Sequence, residues 1–420
     1  MFHHAVLPNG LEIIAERNPA ALSVALGFFV RTGARDETPE LSGVSHFLEH
    51  MAFKGDAQYT ADDLNRLFDE IGAKYNASTS EEVTCYYAAV LPEYLPTVFP
   101  LLAGLLQPSL RETDFELEKQ VILEEIGMYQ DMPGFYLYEQ AMAAHFADHP
   151  LGQSILGSQE SIRALQVGQM QAYFREQYRA GNILLAATGL FDWEELLDLA
   201  RQHCGGWPPG QPVRPEVLRT PRQLSRSLIR EELNQQHWME LATAPAGESS
   251  FRAAAELSAF ILGDEQAGRL YWELVDTGAA ESADVSYHEF AGAGVWSVYL
   301  CCSPEEIAEN LAIVHAECER FNAAGPTADE VARARTKLAS RIVLSSERPM
   351  GRLTMLAGNW MLGHGYRTVE AELAIVRELE VADVCRVLRE FPIRLETSVS
   401  LGPLVLEGLA EAANQTSINT

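Results

Sequence analysis

The sequence predicts two similar α+β domains joined by a short irregular segment. Three observations carry this expectation. The chain has 420 residues, too many for one compact core. Strand-like and helix-like stretches then follow the same order through both halves. Between the halves, "GGWPPGQPVRPEVLRTPR" at 205–222 is rich in Gly and Pro and has no periodicity, as a linker does. The expected domains are 1–205 and 224–412, with a linker at 206–223 and a polar tail at 413–420.

In the first half, "AVLPNGLEIIA" at 5–15 reads as a hairpin turning at Asn9-Gly10. "LSVALGFFVR" at 22–31 reads as a buried strand, and a helix follows at 43–55. "TADDLNRLFDEIG" is a second helix, with Thr60 as N-cap, Asp63 closing a capping box and Gly72 as the stop. "KYNASTS" and "VTCYYAAVL" read as strands, 92–106 and 114–131 as helices, and "NILLAATG" at 182–189 as a strand. In the second half, "RSLIREEL", "QHWMELATA", "SADVSYHEF", "VWSVYLCC" and "TSVSLGPL" read as strands. "FRAAAELSAFILG" and "PEEIAENLAIVHAECERFNAAG" read as helices. The end of the first half, "NILLAATGLFDWEEL", echoes "TSVSLGPLVLEGL" in the second, which suggests a duplicated unit.

The balance of 59 acidic against 31 basic residues gives a net charge of -28. That charge argues against nucleic acid or an anionic membrane as partner. It suits a basic or neutral partner, or simply a solvated surface. The N-terminal "MFHHAVLPNGLEII" lacks the pattern of a secretory signal, and no apolar run has the length of a membrane span. The six cysteines form no C-x-x-C pair and are sparse for a disulfide framework. A cytoplasmic protein is the expectation.

One short stretch carries chemistry. "SHFLEHMAFKG" at 45–55 contains His46, Glu49 and His50 as H-x-x-E-H. Val44, Phe47, Leu48 and Met51 form one helical face, and His46, Glu49, His50 and Phe53 another. Histidines at i and i+4 stand one turn apart and can meet at one zinc ion. Glu49 is placed to take a proton from water at that ion. The alternative is a partly buried polar stripe on an ordinary helix.

A third ligand is expected from 114–131, opened by a capping box at Thr113–Glu116. Phe115, Glu118, Val121, Ile122, Glu125 and Tyr129 fall on one stripe there, and Glu124 points off it. A carboxylate in an apolar stripe needs compensation. Zinc would supply it, with Glu125 as ligand and Glu118 supporting a histidine. An internal pair with Lys or Arg is the alternative.

These motifs resemble a family. H-x-x-E-H is the inverted zinc motif. "GVSHFLEHMAFKGDAQYTADDLNRLFDEIGAKYNASTSEEVTCYY" and "ELEKQVILEEIGMYQDMP" are similar to the pitrilysin family, above all its short-chain processing peptidases and their bacterial counterparts. The resemblance covers nearly all of the first half. It implies two domains, each a mostly antiparallel sheet covered by helices. It implies one zinc per chain held by His46, His50 and Glu125, with Glu49 as general base. It also implies a peptide substrate added as a strand at "NASTS", on Asn76, Ala77 and Ser78. In that family the halves, from one chain or two, close around a chamber for short or unfolded peptides.

The second half departs from the family pattern. Members with a complete site carry an arginine and a tyrosine seven residues apart, which hold the substrate. Aligning Arg269, Glu273 and Gly278 puts Val275 and Glu281 at those positions. Arg269 matches a different, structural arginine, and Tyr287 would serve only in a rebuilt loop. A heterodimer whose related partner supplies the Arg/Tyr pair would explain the pattern, as would a homodimer with altered substrate handling. The rival to a zinc endopeptidase is a zinc-holding but weakly active or non-catalytic subunit for peptide binding or assembly.

Overall fold

The computed structural model describes residues 1–214, 224–394 and 396–406. Part of the expected linker and the whole expected tail therefore lie outside the described residues. The chain forms two compact units. One comprises Met1–Met128, Gln153–Val217 and Val343–Arg367; the other comprises Tyr129–Gly152, Leu218–Ile342 and Thr368–Thr420.

The strands of the first unit are β1 (Phe2–Val6), β2 (Glu12–Arg17), β3 (Val24–Val30), β4 (Lys74–Thr79), β5 (Thr84–Val90) and β6 (Ile183–Gly189). They form one sheet in the order β1-β2-β6-β3-β5-β4, antiparallel except for the parallel pair β2–β6. The β1–β2 hairpin turns at Asn9-Gly10 as expected, and Gly10 takes φ +96°, which favours glycine. Its helices are α1 (Val44–Ala52), α2 (Ala61–Glu70), α3 (Leu95–Leu105), α4 (Glu112–Gln130), then α6 (Gln159–Ala164), α7 (Val167–Gln177), α8 (Trp193–Cys204) and α12 (Pro349–Met361). Every residue of β3 is buried because helices cover both faces of the sheet. On one face Ala25, Phe29, Leu184 and Ala186 meet Leu353, Leu356 and Ala357 of α12. On the other, Phe28 packs edge-on against Phe99 of α3.

The second unit begins with α5 (Pro133–Phe146). Its strands are β7 (Leu224–Ile229), β8 (Gln236–Thr243), β9 (Ser282–Phe290), β10 (Ala293–Cys302) and β11 (Thr397–Gly402). Its further helices are α9 (Arg252–Gly263), α10 (Ile307–Ala324), α11 (Ala328–Ser346), α13 (Val369–Glu378) and α14 (Val381–Glu390). The sheet order is β7-β11-β8-β10-β9, with β7–β11 the parallel pair. Trp238, Trp296, Val298 and Leu300 face the helix layer that includes Leu262, Val314 and Val387. Met239, Leu241, Val295 and Leu401 face Leu137, Ala141 and Met142 of α5.

The two sheets repeat one another. Apart from the added β1, β2-β6-β3-β5-β4 and β7-β11-β8-β10-β9 have the same order and the same single parallel pair. The echo between "NILLAATG" and "TSVSLGPL" is thus the echo of β6 and β11, each lying between a parallel neighbour (β2 or β7) and an antiparallel one (β3 or β8). Each sheet is also backed by one helix from the other half of the sequence, α12 for the first and α5 for the second. That exchange was not part of the sequence expectation.

Two local expectations are corrected. The helix bearing Glu125 starts at Glu112, not after a cap at Thr113. Arg111 opens it: its backbone carbonyl accepts from Phe115 N, and its guanidinium binds Asp114 at 2.6 Å and the carbonyl of Lys54. The buried side of α4 is Phe115, Glu118, Lys119, Ile122 and Ile126, while Val121 is exposed. At about 100° per residue the buried face is centred on Phe115, Ile122 and Ile126, which leaves Val121 roughly 120° away from it.

Candidate metal centre

The site is built on α1, β4 and α4. Helix α1 starts at Gly43, whose φ of +90° and whose contact with the Leu156 carbonyl leave no room for a side chain. No residue at that position can cap the helix with its own side chain. Glu37 does so from outside: its buried carboxylate accepts from Gly43 N at 2.6 Å and Ser45 N at 2.7 Å. Burial pushes the Glu37 pKa up to about 8, against the pull of those two amides. Val44, Phe47, Leu48 and Met51 are buried as expected, and Phe47 stacks on Phe115 of α4 with centroids 4.6 Å apart. This contact brings α4 beside the polar face of α1.

His46, His50 and Glu125 converge there, with one donor atom from each all within 4.8 Å of one another. Glu125 Oε2 lies 3.4 Å from His50 Nε2 and 3.8 Å from His46 Nε2. Two donors bound tetrahedrally to one zinc at about 2.0–2.1 Å stand roughly 3.3 Å apart, so the spacing fits that ion. Glu125 Oε2 is buried and has no hydrogen-bond partner among the described residues. A buried carboxylate oxygen left in that state calls for a cation.

The protonation state of His46 suits a metal ligand, and the carboxylates around His50 favour a positive charge at this spot. Burial, with the neighbouring His50, lowers the His46 pKa to about 3, so this ring is neutral and keeps a lone pair for a metal. Burial would also lower His50, but Glu118, Glu125 and Glu49 outweigh it and raise the pKa. Glu118 Oε1 lies 2.9 Å from His50 Nδ1 and fixes the tautomer that leaves Nε2 facing Glu125. Lys54 holds the other Glu118 oxygen. Burial would raise the Glu118 pKa, but the bonds from His50 and Lys54 hold it below the usual carboxylate range. The internal Lys–Glu pair considered from sequence thus exists, at Glu118 rather than at Glu125. Glu124 is exposed, as its position off the stripe predicts.

Glu49 lies half-buried on the same face of α1, and burial raises its pKa. Thr79 Oγ1 donates to its Oε2 at 2.7 Å. Sequence reasoning missed Thr79, although it lies inside the "NASTS" stretch singled out above. The signal was its parity: Ala77 is buried toward the α1 side, and Thr79 shares its face.

Asn76, Ala77 and Ser78 lie on β4, the edge strand of its sheet. Asn76 and Ser78 are exposed and Ala77 is buried. In the second unit, Arg269 is structural: it binds Glu317 at 2.9 Å and Glu330 at 2.7 Å. Val275 packs against the core. Glu281 accepts from Gln235. Tyr287 donates its hydroxyl to the Pro245 carbonyl at 2.7 Å, so it is already engaged. No described helix is long and apolar enough to cross a membrane.

Comparison with known proteins agrees with this geometry. Residues 12–159 match the family described as Insulinase (Peptidase family M16), and 164–338 match one described as Peptidase M16 inactive domain. A Mycobacterium tuberculosis protein named a zinc protease is 32% identical over 407 residues, covering 94% of this chain and 92% of its own. A Bacillus subtilis protein named a zinc protease, YmxG, is 28% identical over 384 residues, covering 90% and 92%. Among solved structures, a protease from Helicobacter pylori superposes with a TM-score of 0.89 at 20% identity, covering 96% of this chain and 99% of the other. A Pseudomonas fluorescens structure titled peptidase M16 inactive domain gives 0.88 at 18%, covering 96% and 98%; both likenesses concern the fold. The chain belongs to the insulinase family, peptidase family M16.

Proposed function

We propose that the chain is a zinc metalloendopeptidase acting on short or unfolded peptides. The observation that carries this is the convergence of His46, His50 and Glu125 with Glu49 on the same helix face. Family membership and relatives named zinc proteases support it. Two imidazoles and one carboxylate are a catalytic zinc set, leaving a position open. A zinc ion held by His46, His50 and Glu125 would supply a Lewis acid for the scissile carbonyl and lower the pKa of water. Glu49 takes the proton from the attacking water and passes it to the leaving amine. Glu118 keeps His50 in the ligating tautomer. The peptide adds as a strand along β4 at Asn76, Ala77 and Ser78. The domains at 1–205 and 224–412 are the two repeats of the family.

Val275 and Glu281 favour a dimer in which a related partner contributes the Arg/Tyr pair, with a homodimer as the other arrangement. The same departure supports the rival reading of a peptide-binding or assembly subunit. A cytoplasmic location is part of the proposal; the six cysteines are unpaired, as a reducing compartment keeps them.

The test is cleavage of a quenched basic peptide by the purified chain, alone and with a candidate partner, with zinc or a chelator. The wild type should cleave only with zinc, and Glu49→Gln should be slower by roughly a hundredfold to ten-thousandfold. Zinc-loaded wild type that cleaves under no condition would leave the rival reading standing. Cleavage by the chain alone would remove the need for a second kind of subunit.

A further inference from the structure

We infer that Thr79 couples the docked peptide to the general base, as a positioning residue for Glu49. The inference rests on the peptidase reading and deepens it.

Two features of Thr79 meet in one residue. Its hydroxyl donates to Glu49 Oε2 at 2.7 Å. Glu49 Oε1 has no hydrogen-bond partner among the described residues, so one oxygen is tethered and the other is open to a proton. A carboxylate on a helix surface otherwise rotates freely about its last bond. The threonine hydroxyl removes that freedom.

The second feature is the direction of the Thr79 backbone. Ser80 N donates to Val83 O at 2.9 Å across the β4–β5 turn. In an antiparallel pair, residues bonded across the ladder recur at every second position. Ser78 and Asn76, opposite Cys85 and Tyr87, are therefore the inward-bonding positions. Ala77 and Thr79 turn their backbone N–H and C=O groups outward, at an edge with no further strand among the described residues. A peptide strand added there bonds to Ala77 and Thr79, while their side chains face α1. Thr79 thus holds the peptide through its backbone and the base through its side chain. The peptide bond in register with Thr79 comes to lie beside the oxygen that takes the proton.

Two substitutions distinguish a positioning role for Thr79 from a part in β4 alone. Thr79→Val keeps the shape, the β-branching and the backbone but removes the donor. Thr79→Ser keeps the donor. The experiment measures kcat and KM on a quenched peptide for both variants and for the wild type. It adds zinc affinity by chelator competition and thermal unfolding for each protein. The expected result is a kcat for Thr79→Val lower by on the order of tenfold to a hundredfold, as for loss of a bond to a charged group. KM, zinc affinity and unfolding temperature stay at wild-type values, and Thr79→Ser recovers most of the kcat. Wild-type kcat in Thr79→Val overturns the inference and leaves the peptidase reading intact. So does a change confined to KM or zinc affinity. A zinc-loaded wild type that never cleaves sinks both.

Discussion

Glu118 and His50 form a polar contact between the two helices of the metal site: Glu118 Oε1 stands 2.9 Å from His50 Nδ1. When Nδ1–H donates to Glu118, the neutral ring turns its Nε2 lone pair toward Glu125. Lys54 on the far Glu118 oxygen offsets the charge of a buried carboxylate. Replacing Glu118 with Gln should weaken zinc binding by about tenfold to a hundredfold, read by chelator competition. Unchanged affinity would make Glu118 a structural group only.

Arg352 of α12 fastens that helix to the first sheet. Its guanidinium holds Glu16 of β2 by two bonds, at 2.9 and 2.5 Å, and is 4% exposed. Arg352→Met leaves the half-buried Glu16 carboxylate without that partner and should cost about 1.5–3 kcal/mol in urea unfolding. Adding Glu16→Leu should recover much of that loss. A double variant no better than the single would mean the packing of α12, not the ion pair, sets the cost.

Glu330 gives the second unit a sensitivity to acid. Burial alone would raise its pKa, but Arg269 and the amide and hydroxyl of Thr327 hold it at about 2, against 4.5 in the unfolded chain. The unfolded state therefore binds the proton first as pH falls. The stabilisation is complete above pH 4.5 and is lost progressively toward pH 2. Melting temperatures taken across that window should fall less steeply for Arg269→Leu than for the wild type. Parallel slopes would contradict the assignment.

Much of this was legible in the sequence because it is local. Thr60, Asp63 and Gly72 marked α2 by capping chemistry, and Thr60 Oγ1 and Asp63 exchange the expected bonds. The i, i+4 spacing put His46 and His50 on one face, and the stripe on α4 distinguished Glu125 from Glu124. Periodicity reports that a face is buried and not what buries it, so the packing of α5 and α12 on sheets of opposite halves was hidden. The same limit hid Glu37, which caps α1 from six residues before Gly43 because Gly43 has no side chain to do so. Thr113 offers a capping pattern in sequence, but Arg111 displaces it through Asp114 and Lys54, so α4 starts at Glu112.

The claim at the centre of the account is that His46, His50 and Glu125 hold one zinc. Zinc titration of the wild type, Glu125→Gln and Glu124→Gln, read as stoichiometry and affinity, tests it most directly. One zinc per chain is predicted for the wild type and for Glu124→Gln, with tight binding lost in Glu125→Gln. Wild-type zinc affinity in Glu125→Gln, or its loss in Glu124→Gln, would contradict the account.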